Sequence, residues 1–253
     1  MITPQKSETN QQKPRLLLLH GVGLNAKAYD GVKERLSLDL FSKISTLELP
    51  AHGHCARAPL RSLDDGVEQV LAALSDQPTI FVGHSLGALI ALRLACVTAT
   101  KSSHNLKGFV LMNTVYQRSP QAQRAVIERA EAIKAGENDP EPTLERWYQD
   151  AYPRLRAQTR EFLLACPQGY AAAYHVFAHH QDEPAEALAG INRPLLLLTG
   201  EKDKNSTPLM SSQLAKMIPK AQTGVIKGAG HMALMTHPNE CAKAIEDFVT
   251  SLD

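Results

Sequence analysis

The sequence predicts an α/β protein whose mostly parallel sheet is flanked by helices and carries a helical insert. Short apolar runs bounded by Gly or Pro alternate with longer segments of helical character, the pattern of parallel strands joined by crossover helices. One stretch breaks this alternation, because residues 115–190 contain no convincing strand. We therefore expect residues 1–114 and 191–253 to form one core, and residues 115–190 to form a helical cap, called here the insert.

Six short apolar runs are the candidate strands of the sheet. Runs this short and this apolar favour strands that are buried on both faces. In chain order they are Leu16–Leu19, Ile44–Leu49, Thr79–Val82, Leu106–Met112, Leu195–Leu198 and, as the weakest, Thr223–Ile226.

Helical segments lie between these runs and fill the insert. Ser62 is a capping residue before apolar side chains at helical spacing, and Leu86–Val97 is apolar nearly all round, as in a helix packed deep against a sheet. Ser211–Met217 and Glu240–Leu252 are amphipathic. Within the insert we predict helices over Pro120–Ala135, Leu144–Ala151, Arg154–Ala165 and Gly169–His180, with a loop over Gly136–Pro142.

Composition argues against several functional classes. The 253 residues carry 27 basic and 26 acidic side chains, a formal net charge of +1, so we expect neither nucleic acid nor an anionic membrane as a partner. The four cysteines form no Cys-Xaa-Xaa-Cys pair and favour free thiols over a zinc site. Residues 1–14 are polar, and no later run reaches the roughly 20 apolar residues of a membrane span. We therefore expect a cytoplasmic protein.

A Gly-Xaa-Ser-Xaa-Gly motif, GHSLG at residues 83–87, carries the strongest chemical signal. It directly follows one candidate strand and directly precedes the helix Leu86–Val97, so Ser85 lies on a turn between the two. Side chains two residues before and after would collide across so tight a turn, and glycine occupies both positions. We predict that Ser85 is a catalytic nucleophile; the alternative is a glycine-flanked structural turn.

A serine hydroxyl needs a general base, and the sequence offers ten histidines. His231 is favoured because it follows the last candidate strand in GAGH, where a loop would lie at the same sheet edge as Ser85. His237 stands at a helix start, which favours a surface or capping role. The insert holds three more, expected to line a helix face unless they touch substrate: His175, His179 and His180.

The base in turn needs a carboxylate that orients its ring, and two acidic residues follow the run Leu195–Leu198. Asp203 is favoured over Glu201 because it lies farther from the strand end, where a loop can turn inward. The alternative for either residue is a solvated loop charge. Nucleophile, acid and base in this chain order match the order expected on such a sheet.

The developing oxyanion needs hydrogen-bond donors, and two backbone N–H groups are candidates. One belongs to Leu86, the residue after the nucleophile. The other belongs to Val22, in the glycine loop HGVG that follows the first strand. His20 is expected to hold this loop by hydrogen bonds rather than to act as a base.

Five motifs together resemble the α/β-hydrolase fold family: HGVG at residues 20–23, LELPAHG at 47–53, GHSLG at 83–87, TGEKD at 199–203 and GAGH at 228–231. They occur in the order of that family and cover most of the chain. The resemblance implies an eight-stranded, mostly parallel sheet with a helical lid, and the insert falls where that lid belongs. Only about 14 polar residues precede the first strand, too few for the antiparallel hairpin usual in the family. The sheet should therefore have six or seven strands if the hairpin is missing, within an overall expectation of six to eight.

Within that family the chain is similar to small carboxylesterases and 3-oxoadipate enol-lactonases, in HGVGLNAKAYD at residues 20–30, ERWY at 145–148 and PQGYAA at 167–172. This similarity implies hydrolysis of a small ester or lactone through an acyl-enzyme, without metal or organic cofactor. Trp147 is the candidate substrate-binding residue, with packing inside the insert as the alternative. An anionic substrate would need one of five arginines: Arg118, Arg124, Arg129, Arg146 or Arg154.

Other functions are compatible with the same residues, because a fold does not fix a reaction. C–C, amide or thioester hydrolysis and acyl transfer could each use this serine, histidine and aspartate. A non-enzymatic alternative is a ligand receptor with this fold, in which the same serine, histidine and aspartate react only slowly with the ligand. Multiple turnover on short-chain esters distinguishes an enzyme from such a receptor.

Overall fold

The computed structural model describes residues 12–100, 105–148 and 151–252. Within these ranges there is one six-stranded sheet with the order β2-β1-β3-β4-β5-β6, and every neighbouring pair is parallel. The strands are β1 (Arg15–Leu19), β2 (Lys43–Leu47), β3 (Thr79–His84), β4 (Leu106–Met112), β5 (Leu195–Gly200) and β6 (Ala221–Ile226). The predicted α/β architecture is confirmed.

Helices cover both faces of the sheet and make up the insert. A short 3-10 turn, Ala26–Tyr29, precedes the first of them. The helices are α1 (Asp30–Lys33), α2 (Leu63–Ala73), α3 (Leu86–Val97), α4 (Pro120–Lys134), α5 (Glu141–Tyr148), α6 (Pro153–Ala165), α7 (Pro167–His179), α8 (Ala185–Ala189), α9 (Pro208–Ala215), α10 (Ala233–Thr236) and α11 (Pro238–Thr250).

All six apolar runs coincide with strands, but the two outer strands are less buried than the sequence suggested. Strands β1, β3, β4 and β5 lie inside the sheet and are almost wholly buried. Strand β2 is half-buried and β6 is partly exposed, because among the described strands each pairs on one side only. The strand count lies at the lower end of the expected six to eight. The hairpin usual in the family would fall largely on residues 1–11, outside the described ranges.

The insert contains helices α4 to α8 between β4 and β5. Helix α5 begins three residues earlier than predicted, at Glu141, because Pro142 lies in its first turn, where a missing N–H costs no helical hydrogen bond. Helix α8 was not predicted. The predicted cap at Ser62 is present, since its side chain accepts from the N–H of Asp65 at 3.1 Å.

The parallel sheet brings functional loops to one edge. The carboxyl ends of β1, β3, β4 and β5 lead directly into His20, Ser85, Asn113 and the loop with Asp203, and β6 leads into the loop with His231. In parallel sheets ligands bind outside these ends. Helix α3, buried over most of its length, packs against β3 and β4 beneath this edge. Among the described residues no helix combines the length and apolarity that crossing a membrane requires.

Candidate active site

Ser85 lies on the sharp turn between β3 and α3. Its backbone has φ 54° and ψ −114°, a conformation that a residue with a side chain adopts only under strain. Its N–H donates to the carbonyl of Met112 at 2.9 Å, which ties the turn to the end of β4. A Cβ on Gly83 would overlap the carbonyl of Gly87, as predicted for the turn. A Cβ on Gly87 would instead overlap the carbonyl of Leu19, so close approach to β1 requires the second glycine.

Three predicted site residues from separate loops come together at the sheet edge. Nε2 of His231 lies 3.2 Å from Oγ of Ser85, and Nδ1 lies 2.9 Å from Oδ2 of Asp203. All three residues are buried. A carboxylate oxygen only accepts, so Nδ1 carries the hydrogen and the lone pair of Nε2 faces the Ser85 hydroxyl. In this tautomer the ring can accept the hydroxyl proton.

Both oxygens of Asp203 are saturated with donors. Oδ1 accepts from the N–H groups of Asn205 at 2.7 Å and Ser206 at 3.1 Å, and Oδ2 accepts from Nδ2 of Asn113 at 2.7 Å as well as from His231. Burial acts to raise the pKa of this carboxyl, but the His231 ring and these hydrogen bonds outweigh burial and hold the pKa well below its usual value. Asp203 is therefore an anion at neutral pH.

Two of the residues that support Asp203 were missed by the sequence analysis. The hydroxyl of Ser206 lies 2.8 Å from the carbonyl of Asn113 and 2.9 Å from Oδ2 of Asp203. Asn113 directly follows β4 with φ 53°. A clue was available, because Asn tolerates positive φ better than most residues and here ends a buried apolar strand at the functional edge.

Glu201, the other candidate for the orienting acid, lies away from His231 and Ser85. It is exposed, and its carboxylate accepts from the N–H of Gly228 at 2.9 Å. The geometry thus brings Asp203 and not Glu201 to the histidine.

Buried neutral histidines hold the surrounding loops. His20 donates from Nδ1 to the carbonyl of Gly21 at 2.8 Å and accepts from the N–H of Leu49 at 3.1 Å, the loop-holding arrangement that was predicted. His84 donates from Nε2 to the carbonyl of His231 at 2.9 Å and so fixes the backbone of the base. Burial, with a smaller contribution from a neighbouring histidine, lowers the pKa of each ring to about 3.

Because these two histidines have lowered pKa values, we expect the free energy of unfolding to fall in mild acid. Their folded pKa values of about 3 lie below the unfolded value of 6.5, so their contribution is complete above pH 6.5 and is lost as the pH falls towards 3. For each histidine, the free energy of unfolding should be about 2 kcal/mol lower at about pH 5 than at about pH 7.5. Urea unfolding at both pH values measures the difference. His20→Asn should shrink it, whereas exposed His54→Ala should not; equal stability at both pH values would contradict the assignment.

The two candidate oxyanion donors belong to segments next to the nucleophile. Leu86 is the first residue of α3, and the first N–H groups of a helix have no partner within it. Val22 lies in the loop after β1 and lines the cavity beside Ser85. That loop is fixed by His52, whose Nε2 accepts from the N–H of Gly23 at 3.1 Å.

A cavity of about 310 Å³ opens above Ser85 and His231. Most of its wall comes from the insert and is apolar or aromatic. Trp147 on α5 lines it and stacks on the His231 ring, with centroids 5.3 Å apart and planes inclined by 29°. The insert residues along the wall also include Ala122, Ala125 and Val126 on α4 and Tyr170, Tyr174 and Phe177 on α7.

The charged groups on the cavity wall are all cationic among the described residues: Arg118, Arg146 and Lys204. The other candidate arginines, Arg124, Arg129 and Arg154, do not line it. Arg118 is the most enclosed of the three, with its guanidinium 4.4 Å from the centre of the Phe177 ring. Burial lowers its pKa to about 10, which leaves it charged at neutral pH.

Comparisons with known proteins place the chain in a family. Residues 16–244 match the model of the "Alpha/beta hydrolase family". The chain is 32% identical, over 241 residues, to (E)-2-((N-methylformamido)methylene)succinate hydrolase of Acinetobacter baylyi, covering 91% of this chain and 88% of that one. It is 28% identical to a pimeloyl-[acyl-carrier protein] methyl ester esterase of Aromatoleum aromaticum over 94% of this chain and 98% of that one.

A solved structure shares the fold. The enol-lactonase from Burkholderia xenovorans superposes with a TM-score of 0.80 at 22% identity, covering 96% of this chain and 94% of that one.

Proposed function

The chain belongs to the alpha/beta hydrolase family, and from that premise we propose that it is a serine hydrolase that cleaves a small carboxylic ester or lactone. The observation that carries the proposal is the continuous contact from Ser85 through His231 to Asp203 at the base of an apolar cavity. A histidine base held by a carboxylate in this way makes a serine hydroxyl nucleophilic at neutral pH.

The first half of the reaction forms an acyl-enzyme. His231 takes the hydroxyl proton of Ser85 at Nε2 as Oγ bonds to the substrate carbonyl carbon. The carbonyl oxygen becomes an oxyanion held by the N–H groups of Val22 and Leu86. When the carbon–oxygen bond to the leaving alkoxide breaks, the proton passes from His231 to that oxygen.

The second half regenerates the enzyme. A water molecule gives a proton to His231 and attacks the acyl carbon, and the ester bond to Ser85 breaks as the proton returns to Oγ. Asp203 keeps the ring in its tautomer and stabilises the imidazolium through both steps. The insert acts as a lid that covers the reacting groups and restricts water. Trp147 lines the cavity and stacks on His231, so it is the lid residue that would contact a substrate bound there.

We further propose that the substrate carries a carboxylate, and Arg118 is the group that would bind it. In the described part of the chain, the groups within hydrogen-bond distance of its guanidinium are two oxygen atoms and Nδ1 of His180, the last at 3.4 Å. Burial lowers the pKa of the His180 ring to about 4, so all of these groups are uncharged at neutral pH. They include Oε1 of Gln123 and the carbonyl of Phe177, both at 3.2 Å. The carboxylate of Asp182 is near enough to raise the pKa of Arg118, but it accepts from the N–H of Gln117 and lies outside ion-pair distance of the guanidinium. A partly buried guanidinium is best stabilised by an anion, so an anionic ligand would complete this site.

The printed name of the Acinetobacter relative supports the same substrate class, since a succinate is a dicarboxylate. That name also favours a second candidate function, because its formamido group is an amide. Amide hydrolysis uses the same serine, histidine and oxyanion donors, with an amine as the leaving group.

Paired substrates test the proposal. We expect multiple turnover on short-chain esters and higher kcat/KM for acyl chains that end in a carboxylate than for neutral chains of equal length. Arg118→Gln should lower kcat/KM for the carboxylate ester about 10- to 100-fold, because it removes a charged hydrogen bond. It should change kcat/KM for the neutral ester by less than about threefold.

The matched control is Arg124→Gln, which removes an exposed arginine of the insert that does not line the cavity. It should leave both substrates unaffected. Equal losses on both substrates in Arg118→Gln would refute carboxylate binding but not hydrolysis. Faster turnover of the matched amides would favour the second candidate, and a single turnover that ends in a stable adduct would favour a receptor.

A further inference from the structure

Three side chains with metal-binding atoms meet on the insert, outside the cavity. Glu131 is on α4, and His175 and His179 are on α7. Their ligand atoms all lie within 4.8 Å of one another. The histidines are one helical turn apart, so both rings project from one face of α7, and their centroids lie 4.2 Å apart.

One ring of this cluster is already oriented for coordination. Nδ1 of His179 lies 3.0 Å from the carbonyl oxygen of His175, and since a carbonyl only accepts, Nδ1 carries the hydrogen. The lone pair is therefore on Nε2, at the outer end of the ring. A hydrogen bond from the other ring nitrogen to a backbone carbonyl is the usual support of a metal-ligating histidine.

The cluster lies between two helices whose other residues form part of the cavity wall. Val126 on α4 and Tyr174 and Phe177 on α7 form part of the cavity wall, so a bond between these two helices braces that wall. A link already exists elsewhere along the pair, where Nε2 of Gln123 donates to the carbonyl of Ala178 at 2.6 Å. Glu131 lies about two turns farther along α4.

We propose that Glu131, His175 and His179 bind Zn²⁺ and that the bound ion staples α4 to α7. Two imidazoles and one carboxylate suit a borderline ion such as Zn²⁺ better than Mg²⁺ or Ca²⁺, which prefer oxygen ligands. Bonds of about 2.0–2.2 Å require the ligand atoms to close to about 3.3 Å. Glu131 and His179 are exposed, so side-chain rotation can supply this movement. Water completes the tetrahedron, and the ion takes no part in the reaction at Ser85.

The proposed Zn²⁺ link between α4 and α7 is tested by metal binding. The purified full chain is first treated with a chelator to remove bound metal. Calorimetric titration should show one Zn²⁺ per chain. The thermal midpoint should rise by about 5–10 °C at a free Zn²⁺ concentration a hundredfold above Kd. Co²⁺ as a spectroscopic substitute should develop the visible bands of a low-coordinate site with nitrogen ligands.

Variants assign the site to these residues. His179→Ala and Glu131→Gln should each weaken Zn²⁺ binding at least about tenfold and remove most of the midpoint shift. The control His54→Ala, which removes an exposed histidine elsewhere, should leave both unchanged. Absence of saturable binding would overturn the proposal. So would binding that survives His175→Ala combined with His179→Ala, because the ion would then be bound elsewhere, for example at His231, where it would inhibit hydrolysis.

Discussion

Ser85→Ala is expected to lower kcat by about 10⁵-fold or more while leaving the fold and substrate binding intact. The expected loss is large because Ser85 is the proposed nucleophile, and among the described residues its hydroxyl is the one in contact with Nε2 of His231. Alanine has no hydroxyl but keeps the Cβ, so the turn and its hydrogen bond to Met112 should persist. Ester hydrolysis under saturating substrate measures the effect.

Two further measurements make this result specific. A fluorophosphonate should label the wild-type chain once and leave Ser85→Ala unlabelled, and mass spectrometry of the digest should find the adduct on Ser85. Thermal unfolding should give similar midpoints for both proteins. Retained turnover in a correctly folded Ser85→Ala would show that another group is the nucleophile.

Asp203→Asn should lower kcat about 10⁴-fold. Both oxygens of the aspartate accept hydrogen bonds, whereas an amide has only one accepting oxygen. An amide nitrogen facing His231 would favour the wrong tautomer and remove the charge that stabilises the imidazolium. The unmatched donor should also cost about 1–3 kcal/mol of folding stability.

The chain offers a matched control two residues away. Glu201→Gln makes the same change, carboxylate to amide, on an exposed side chain that contacts Gly228 rather than the histidine. It should keep kcat within about twofold. If Glu201→Gln were the damaging change and Asp203→Asn the mild one, the assignment of the orienting acid would be reversed.

Features that depend on neighbouring residues were predictable from the sequence. The turn at Ser85 follows from a buried strand, a helix and two glycines within a few residues, and the structure reproduces each. The loop after β1 was identified in the same way, because glycines next to a leucine run indicate both a strand end and close backbone approach. The parallel sheet follows from the same alternation.

Features set by long-range contacts were not predictable. Five arginines of the insert looked equivalent, and only the packing of Arg118 on Phe177 distinguishes the most enclosed one. One partner of Asp203, the amide of Asn113, comes from a strand end 90 residues earlier, which no local spacing reveals. Apolar content also could not tell the edge strand β6 from the inner strands, since burial depends on which strand has a neighbour.

The stacking of Trp147 on His231 gives the protein an internal optical reporter. Trp147 is the single tryptophan in the chain, so all indole emission comes from a ring in contact with the proposed base. A ligand that separates the two rings, or a charge that forms on the imidazole, alters the surroundings of that fluorophore. Stopped-flow emission can therefore follow ligand binding and formation of the proposed acyl-enzyme on unlabelled protein.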